Sequence, residues 1–261
     1  MSQFERLTQI MAQLRAPDGG CPWDLKQTHE SLRPHLIEES AEVLAAIESG
    51  DKANLREELG DLLLQVVFHA QLAQENGDFN IEDVALAINE KLVRRHPHIF
   101  GDVQADDAET VKANWDAIKA QEKAERGEIQ TSILGDVPNE LPALSSALKI
   151  SKRAAKVGFE WPDEAGVIEK LREEVGEVEV ALQNESPARV AEELGDLLFT
   201  IVNLARWRGI DPEMALRDNN RKFRGRFEQM EAAATRRGWS LEQLSEAQWE
   251  ELWNGAKTQT L

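Results

Sequence analysis

A single cysteine, Cys21, is all the thiol chemistry the chain carries. It excludes an intrachain disulfide and a cysteine-rich zinc cluster, and it suits a reducing interior. Tyrosine is absent, and no stretch alternates apolar with polar residues as a half-buried strand would. An all-α fold is therefore expected. Long apolar runs are missing too: the longest, around 62–68 and 197–202, fall far short of the roughly 20 residues needed to span a bilayer. The polar start, Met1-Ser2-Gln3-Phe4-Glu5-Arg6, does not read as a signal peptide, and a cytoplasmic location is expected. Basic residues are scarce, 30 against 48 acidic ones, and the net charge of −18 argues against nucleic acid or an anionic membrane surface as partner. Neither G-x-x-x-x-G-K-S/T nor G-x-G-x-x-G occurs, so no P-loop or Rossmann turn holds a phosphate, and nothing supports a nucleophilic triad.

What the chain does have is carboxylates in a helical pattern. Glu174 and Glu177 lie three apart, as do Glu193 and Asp196, so each pair shares one helix face. Between them Glu185-Ser186-Pro187 breaks the periodicity, with Ser186 placed to cap a helix and Pro187 to begin one. In the resulting antiparallel hairpin, residues equidistant from the turn lie level, and both Glu174 with Asp196 and Glu177 with Glu193 are centred on Glu185. The four acids are expected to converge about 16 Å from the turn.

The figure occurs twice. Glu39, Glu42, Glu58 and Asp61 stand 135 residues earlier, centred on Gly50 and followed by a capping Asp51. A tandem duplication follows, with domains at 1–126 and 143–261 and a linker at 127–142 that contains Gly127, Gly135, Pro138 and Pro142.

The pattern predicts helices at about 3–15, 32–49, 52–76 and 81–95, then one capped by Thr110. In the second half it predicts helices at about 144–157, across 164–208 as the hairpin, from Asp211-Pro212 to about 237, and from Ser240 onward. In the second helix of the first hairpin, Leu55, Leu59, Leu62, Leu63, Val66 and Val67 form an apolar stripe. Hairpins of this kind need a partner layer, so packing as four-helix bundles is expected, between the repeats or across a dimer.

Carboxylates crowded in one plane repel, and a divalent cation relieves the repulsion. All-oxygen ligation suits Mg²⁺, or alternatively Mn²⁺, which keep waters and bridge to phosphates. One Glu-x-x-Glu is the ordinary mark of a solvated helix face; two level pairs, duplicated in register, are not. Di-iron chemistry needs Glu-x-x-His, and the residues three before the five histidines are Lys26, Leu32, Val66, Val93 and Arg95. His96 and His98, around Pro97, read better as exposed imidazoles at a helix stop than as metal ligands. Positive groups for a phosphate come from the next helix in each half, where Asn89-x-Lys91-x-x-x-Arg95 recurs as Asn220-x-Lys222-x-x-x-Arg226. Lys and Arg four apart share a face and would clamp a polyphosphate. Trp23 and Trp161, each shortly before its first carboxylate helix, would stack on a base or staple the loop. The residues alone leave open an enzyme or a non-catalytic scaffold that binds metal and nucleotide.

The pattern Glu38-Glu39-x-x-Glu42 with Glu57-Glu58-Leu59-Gly60-Asp61, and Glu173-Glu174-x-x-Glu177 with Glu192-Glu193-Leu194-Gly195-Asp196, resembles the E-E-x-x-E…E-x-x-D signature of the MazG nucleoside triphosphate pyrophosphohydrolases. Gly20-Cys21-Pro22-Trp23-Asp24, Arg94-Arg95-His96-Pro97-His98, Leu141-Pro142-Ala143-Leu144 and Gly158-Phe159-Glu160-Trp161 extend the likeness over nearly the whole chain. The resemblance implies an all-α, Mg²⁺-dependent homodimer that cleaves nucleoside triphosphates to monophosphate and pyrophosphate, with hydrolysis assigned mainly to the C-terminal copy. It implies Glu174, Glu177, Glu193 and Asp196 as metal ligands, with Lys170, Arg189, Lys222, Arg226 and Trp253 contacting the nucleotide. Glu173 or Glu192 would orient the attacking water. The first copy retains its acids and the Lys91/Arg95 pair, so a second active site is an open expectation, as is a narrower activity on deoxynucleotides or damaged nucleotides.

Overall fold

The structure is a computed structural model, and it describes residues 1–104, 107–125, 127, 132–135 and 137–259. Among these residues there is no strand, and the fold is all-α. The chain divides into two compact units, Met1–Glu128 and Ile129–Leu261. Of the expected linker at 127–142, residues 128–131 and 136 lie outside the described residues.

The first unit contains α1 (Gln3–Leu14), α2 (Arg33–Ser49), α3 (Lys52–Asn76), α4 (Ile81–Arg95), the short α5 (Pro97–Phe100) and α6 (Ala108–Glu125). The helix starts are set by side-chain caps. The Asp51 carboxylate accepts from the backbone N–H groups of Ala53 and Asn54, and Asn80 with Asp83 makes a reciprocal capping box at α4. Between α2 and α3 the chain reverses through Gly50 at φ 71°, a left-handed conformation that side chains with a Cβ resist. The cap of α6 is Asp107, whose carboxylate accepts from the Thr110 N–H at 2.7 Å. Thr110, expected as the cap, lies inside the helix, because the acid three residues upstream reaches the free N–H groups first.

Met11, Leu32, Val67, Phe68 and Leu72 form the core of this unit, where α1 packs on α3. Burying each is worth roughly 1.5–3 kcal/mol. Arg15 seals its edge. Only 8% exposed, Arg15 donates from Nε and Nη2 to Glu75 at 2.8 and 2.6 Å, and from Nη1 to the Asp24 carbonyl oxygen. The pairing satisfies a buried charge and fixes the loop before α2. The stripe read on α3 is only partly inside: Val67 is buried, whereas Leu59, Leu63 and Val66 are 49%, 38% and 40% exposed. Periodicity identifies an apolar face but says nothing about what covers it.

The second unit contains α7 (Ala143–Lys156), α8 (Glu164–Asn184), α9 (Pro187–Trp207), α10 (Pro212–Arg236) and α11 (Glu246–Gln259). Asp163, Ser186 and Asp211 cap α8, α9 and α10, with Pro187 and Pro212 as first helical residues. The last helix starts later than expected: Ser240 opens only a 3-10 turn, Leu241–Gln243, and Ser245 with Gln248 forms the next start. Between α8 and α9, Val167 and Val202 are completely buried. Met230, Ala234, Leu252 and Ala256 join α10 to α11. A polar chain ties α7 to α9: Arg206 Nε donates to Ser151 Oγ at 2.6 Å, and Ser151 Oγ donates to Asn203 Oδ1 at 2.6 Å. Arg206 also pairs with Glu160 at 2.5 Å, and Trp207 Nε1 donates to the same carboxylate. The loop before α8 is thereby held against the end of α9.

Candidate active site

The Ser186 turn folds α8 back on α9, and this alone brings Glu174, Glu177 and Glu193 together. Each offers an oxygen within 4.8 Å of the others. Glu174 and Glu193 are 4% and 5% exposed. Asp196, one turn further along α9, is exposed and stands outside this set.

Two cations of the same hairpin reach the acids. Lys170 Nζ donates to Glu173 Oε1 at 2.8 Å and lies 2.9 Å from Glu174 Oε1 and 3.9 Å from Glu177. On α9 the Arg189 guanidinium meets Glu193 at 2.5 Å, Glu192 at 2.7 Å and Glu185 at 3.4 Å. Lys170 is pushed well above the usual lysine range, first by its hydrogen bond to Glu173 and then by that to Glu174. Arg189 is raised by Glu192 and Glu193. Glu177 moves up, because burial and then the neighbouring Glu174 and Glu193 outweigh Lys170. The acids around the two cations outnumber them, so an excess of negative charge remains. Glu174 Oε2 is buried with no hydrogen-bond partner among the described residues. A buried, unsatisfied carboxylate oxygen beside two others is the donor set a hard divalent cation fits.

The first hairpin repeats the acids but not the cations. Glu39, Glu58 and Asp61 place oxygens within 4.8 Å of one another, and Glu42 acts electrostatically on both Glu39 and Glu58. Burial, then the nearby acids, raise Glu39 and Glu58. In the register that carries Glu174 onto Glu39, Lys170 becomes His35 and Arg189 becomes Asn54. His35 reaches Glu38 at 3.5 Å. Sequence reasoning compared the acids and passed over these two positions, although the 135-residue shift marks them.

The basic pairs also differ between the copies. Lys222 is exposed on α10, and no ion pair among the described residues links Lys222 or Arg226 to the carboxylates of α8 and α9. Arg226 lies 5.7 Å from the centre of the Trp253 ring, Lys257 lies 5.5 Å from it, and Arg226 Nε is buried without a partner among the described residues. On α4, Lys91 is exposed, but Arg95 is taken up by Glu122 of α6, which sequence reasoning did not single out. A pair 27 residues apart leaves no local pattern to find.

Trp161 packs over the first turn of α8, where a Cβ at Gly166 would meet its ring at 3.2 Å. Trp23 is 53% exposed, its ring edge-on to His35 at 6.0 Å. His96 and His98, expected to be exposed, are half-buried. Their rings lie 5.6 Å apart, and His96 also lies 5.6 Å from Trp115.

The family described as MazG nucleotide pyrophosphohydrolase domain matches residues 27–100 and 163–230, the two hairpins with their following helices. A Thermotoga maritima protein named nucleoside triphosphate pyrophosphohydrolase/pyrophosphatase MazG is 49% identical over 97% of this chain and 95% of its own length. An Escherichia coli K12 protein named nucleoside triphosphate pyrophosphohydrolase is 46% identical over 100% of this chain and 99% of its own. Bacillus subtilis YabN, named as uncharacterized, is 47% identical over 98% of this chain and 52% of its own length.

Proposed function

Because this chain belongs to the MazG nucleotide pyrophosphohydrolase family, we propose that it hydrolyses nucleoside triphosphates to nucleoside monophosphate and pyrophosphate at the α8–α9 hairpin, with Mg²⁺ as cofactor. The observation that carries this reading is that Glu174, Glu177 and Glu193 offer oxygens within 4.8 Å of one another, while Glu174 Oε2 is buried with no partner among the described residues. Glu174, Glu177 and Glu193, joined by Asp196, would hold the metal. When bound, Mg²⁺ supplies acidification of a ligated water and neutralisation of phosphate charge.

The side chains account for the rest. Lys170 and Arg189 hold the acids in place before substrate arrives. A water oxygen attacks the α-phosphorus, its proton passes to Glu173 or Glu192, and the bond from that phosphorus to the bridging oxygen breaks. Lys222 and Arg226 stabilise the charge growing on the pyrophosphate that leaves, and Arg226 Nε has a donor to spare. Trp253 offers a ring face to the base. In the first unit Glu39, Glu42, Glu58 and Asp61, with Lys91 and Arg95, form a second, weaker candidate.

In this reading the protein works in the cytoplasm as a homodimer. Leu194, Leu198 and Ile201 on α9 are 44%, 52% and 43% exposed, an apolar face that a second copy would cover as a four-helix bundle. No helix among the described residues is long and apolar enough to cross a membrane. Incubation with each nucleoside triphosphate and Mg²⁺ is the test: release of pyrophosphate rather than phosphate supports the reading, and binding without turnover refutes it.

A further inference from the structure

Arg94 Nε donates to Glu122 Oε1 at 2.6 Å, while Arg95 donates from Nη2 to Oε2 at 2.5 Å and from Nε to Oε1 at 3.3 Å. Two guanidinium groups thus grip both oxygens of one carboxylate, the geometry by which arginines grip a phosphate. Glu122 is 8% exposed, while Arg94 stays half exposed at the surface. Beside it lies a cavity of about 350 Å³, lined by Lys91, Arg94, Arg95, Glu122 and Glu125. Space and cations for a polyphosphate are present, but both arginines already have a carboxylate between them. In the second unit the corresponding helix, α11, spends its Glu251 on Arg237 rather than on the clamp arginine: the 131-residue shift that carries Arg95 onto Arg226 carries Glu122 onto Trp253, and Arg226 Nε has no partner among the described residues.

We propose that Glu122 is a built-in phosphate mimic that closes the N-terminal basic site to polyphosphate, so that the two copies differ by which residue meets the clamp arginine. The inference rests on reading the Lys/Arg pairs as phosphate contacts. A tethered carboxylate competes at an effective concentration on the order of millimolar or more, which free nucleotide must exceed to displace it. The arginine of the first copy is held by an acid; that of the second is left to the ligand.

Isothermal titration of the full chain with inorganic tripolyphosphate and Mg²⁺ tests it by counting sites. Wild type is expected to bind at one site per chain, the Lys222→Gln/Arg226→Gln variant at none, and the same variant with Glu122→Gln added at one again. Two sites in wild type, with one surviving in Lys222→Gln/Arg226→Gln, overturn the proposal, as does a folded triple variant that binds nothing. If that double variant binds as wild type does, the clamp reading itself is what fails. Should the triple variant not fold, arginine side-chain NMR of wild type decides. Tripolyphosphate shifting the Arg226 Nε signal alone supports the proposal, and a shift at Arg95 overturns it.

Discussion

Lys170 Nζ lies 2.9 Å from one oxygen of Glu174, while the other oxygen of that carboxylate is buried without a partner among the described residues. One half of the group is thus held by the protein, and the other half is the atom on which the proposed metal site rests. Replacing Lys170 removes the holder. Lys170→Met is expected to lower kcat/KM by roughly 10–100-fold, with Lys170→Arg recovering part of the loss, in steady-state kinetics. Unchanged kinetics in Lys170→Met would remove this lysine from the account.

The first hairpin has His35 and Asn54 where the second has Lys170 and Arg189. Its acids are therefore expected to contribute little to turnover. Glu39→Gln and Asp61→Asn should each retain most of the wild-type rate; a loss of half or more in either would assign hydrolysis to both copies.

Arg206 joins Glu160 to Ser151 and so locks the loop before α8 onto α9. Truncation leaves two polar groups without their donor. Arg206→Met is expected to cost about 2 kcal/mol in urea unfolding, because half-satisfied polar groups are more costly than absent ones.

His29 and His69 stack with ring centres 5.0 Å apart and Nδ1 atoms 2.7 Å apart, and burial, then His29, pushes His69 below 6.5. A histidine with a depressed folded pKa takes up its proton more readily when unfolded. Stability is therefore complete above about pH 6.5 and lost as the pH falls through that value. The melting temperature of wild type should fall between about pH 7.5 and 5.5, and His69→Gln should flatten that part of the profile.

Both hairpins were legible because their turns carry strong punctuation, Gly50-Asp51 and Ser186-Pro187, and because acids three apart must share a helix face. Helix starts were less so: Asp107 and Thr110, or Ser240 and Ser245, are competing caps, and only the built backbone shows which is used. The exposed Leu59 and Leu63 illustrate a further gap, since pattern marks an apolar face without its cover. Glu122 went unread because its partners are distant in sequence, whereas His35 and Asn54 were within reach of a register comparison.

The central claim is that Glu174 seats the catalytic ion. Phosphorus NMR of ATP with Mg²⁺ and either wild type or Glu174→Gln tests it most directly, with circular dichroism as the check on fold. AMP and pyrophosphate from wild type, and at least about 1,000-fold slower conversion by a folded Glu174→Gln, are expected. Conversion by that variant at the wild-type rate would contradict the account.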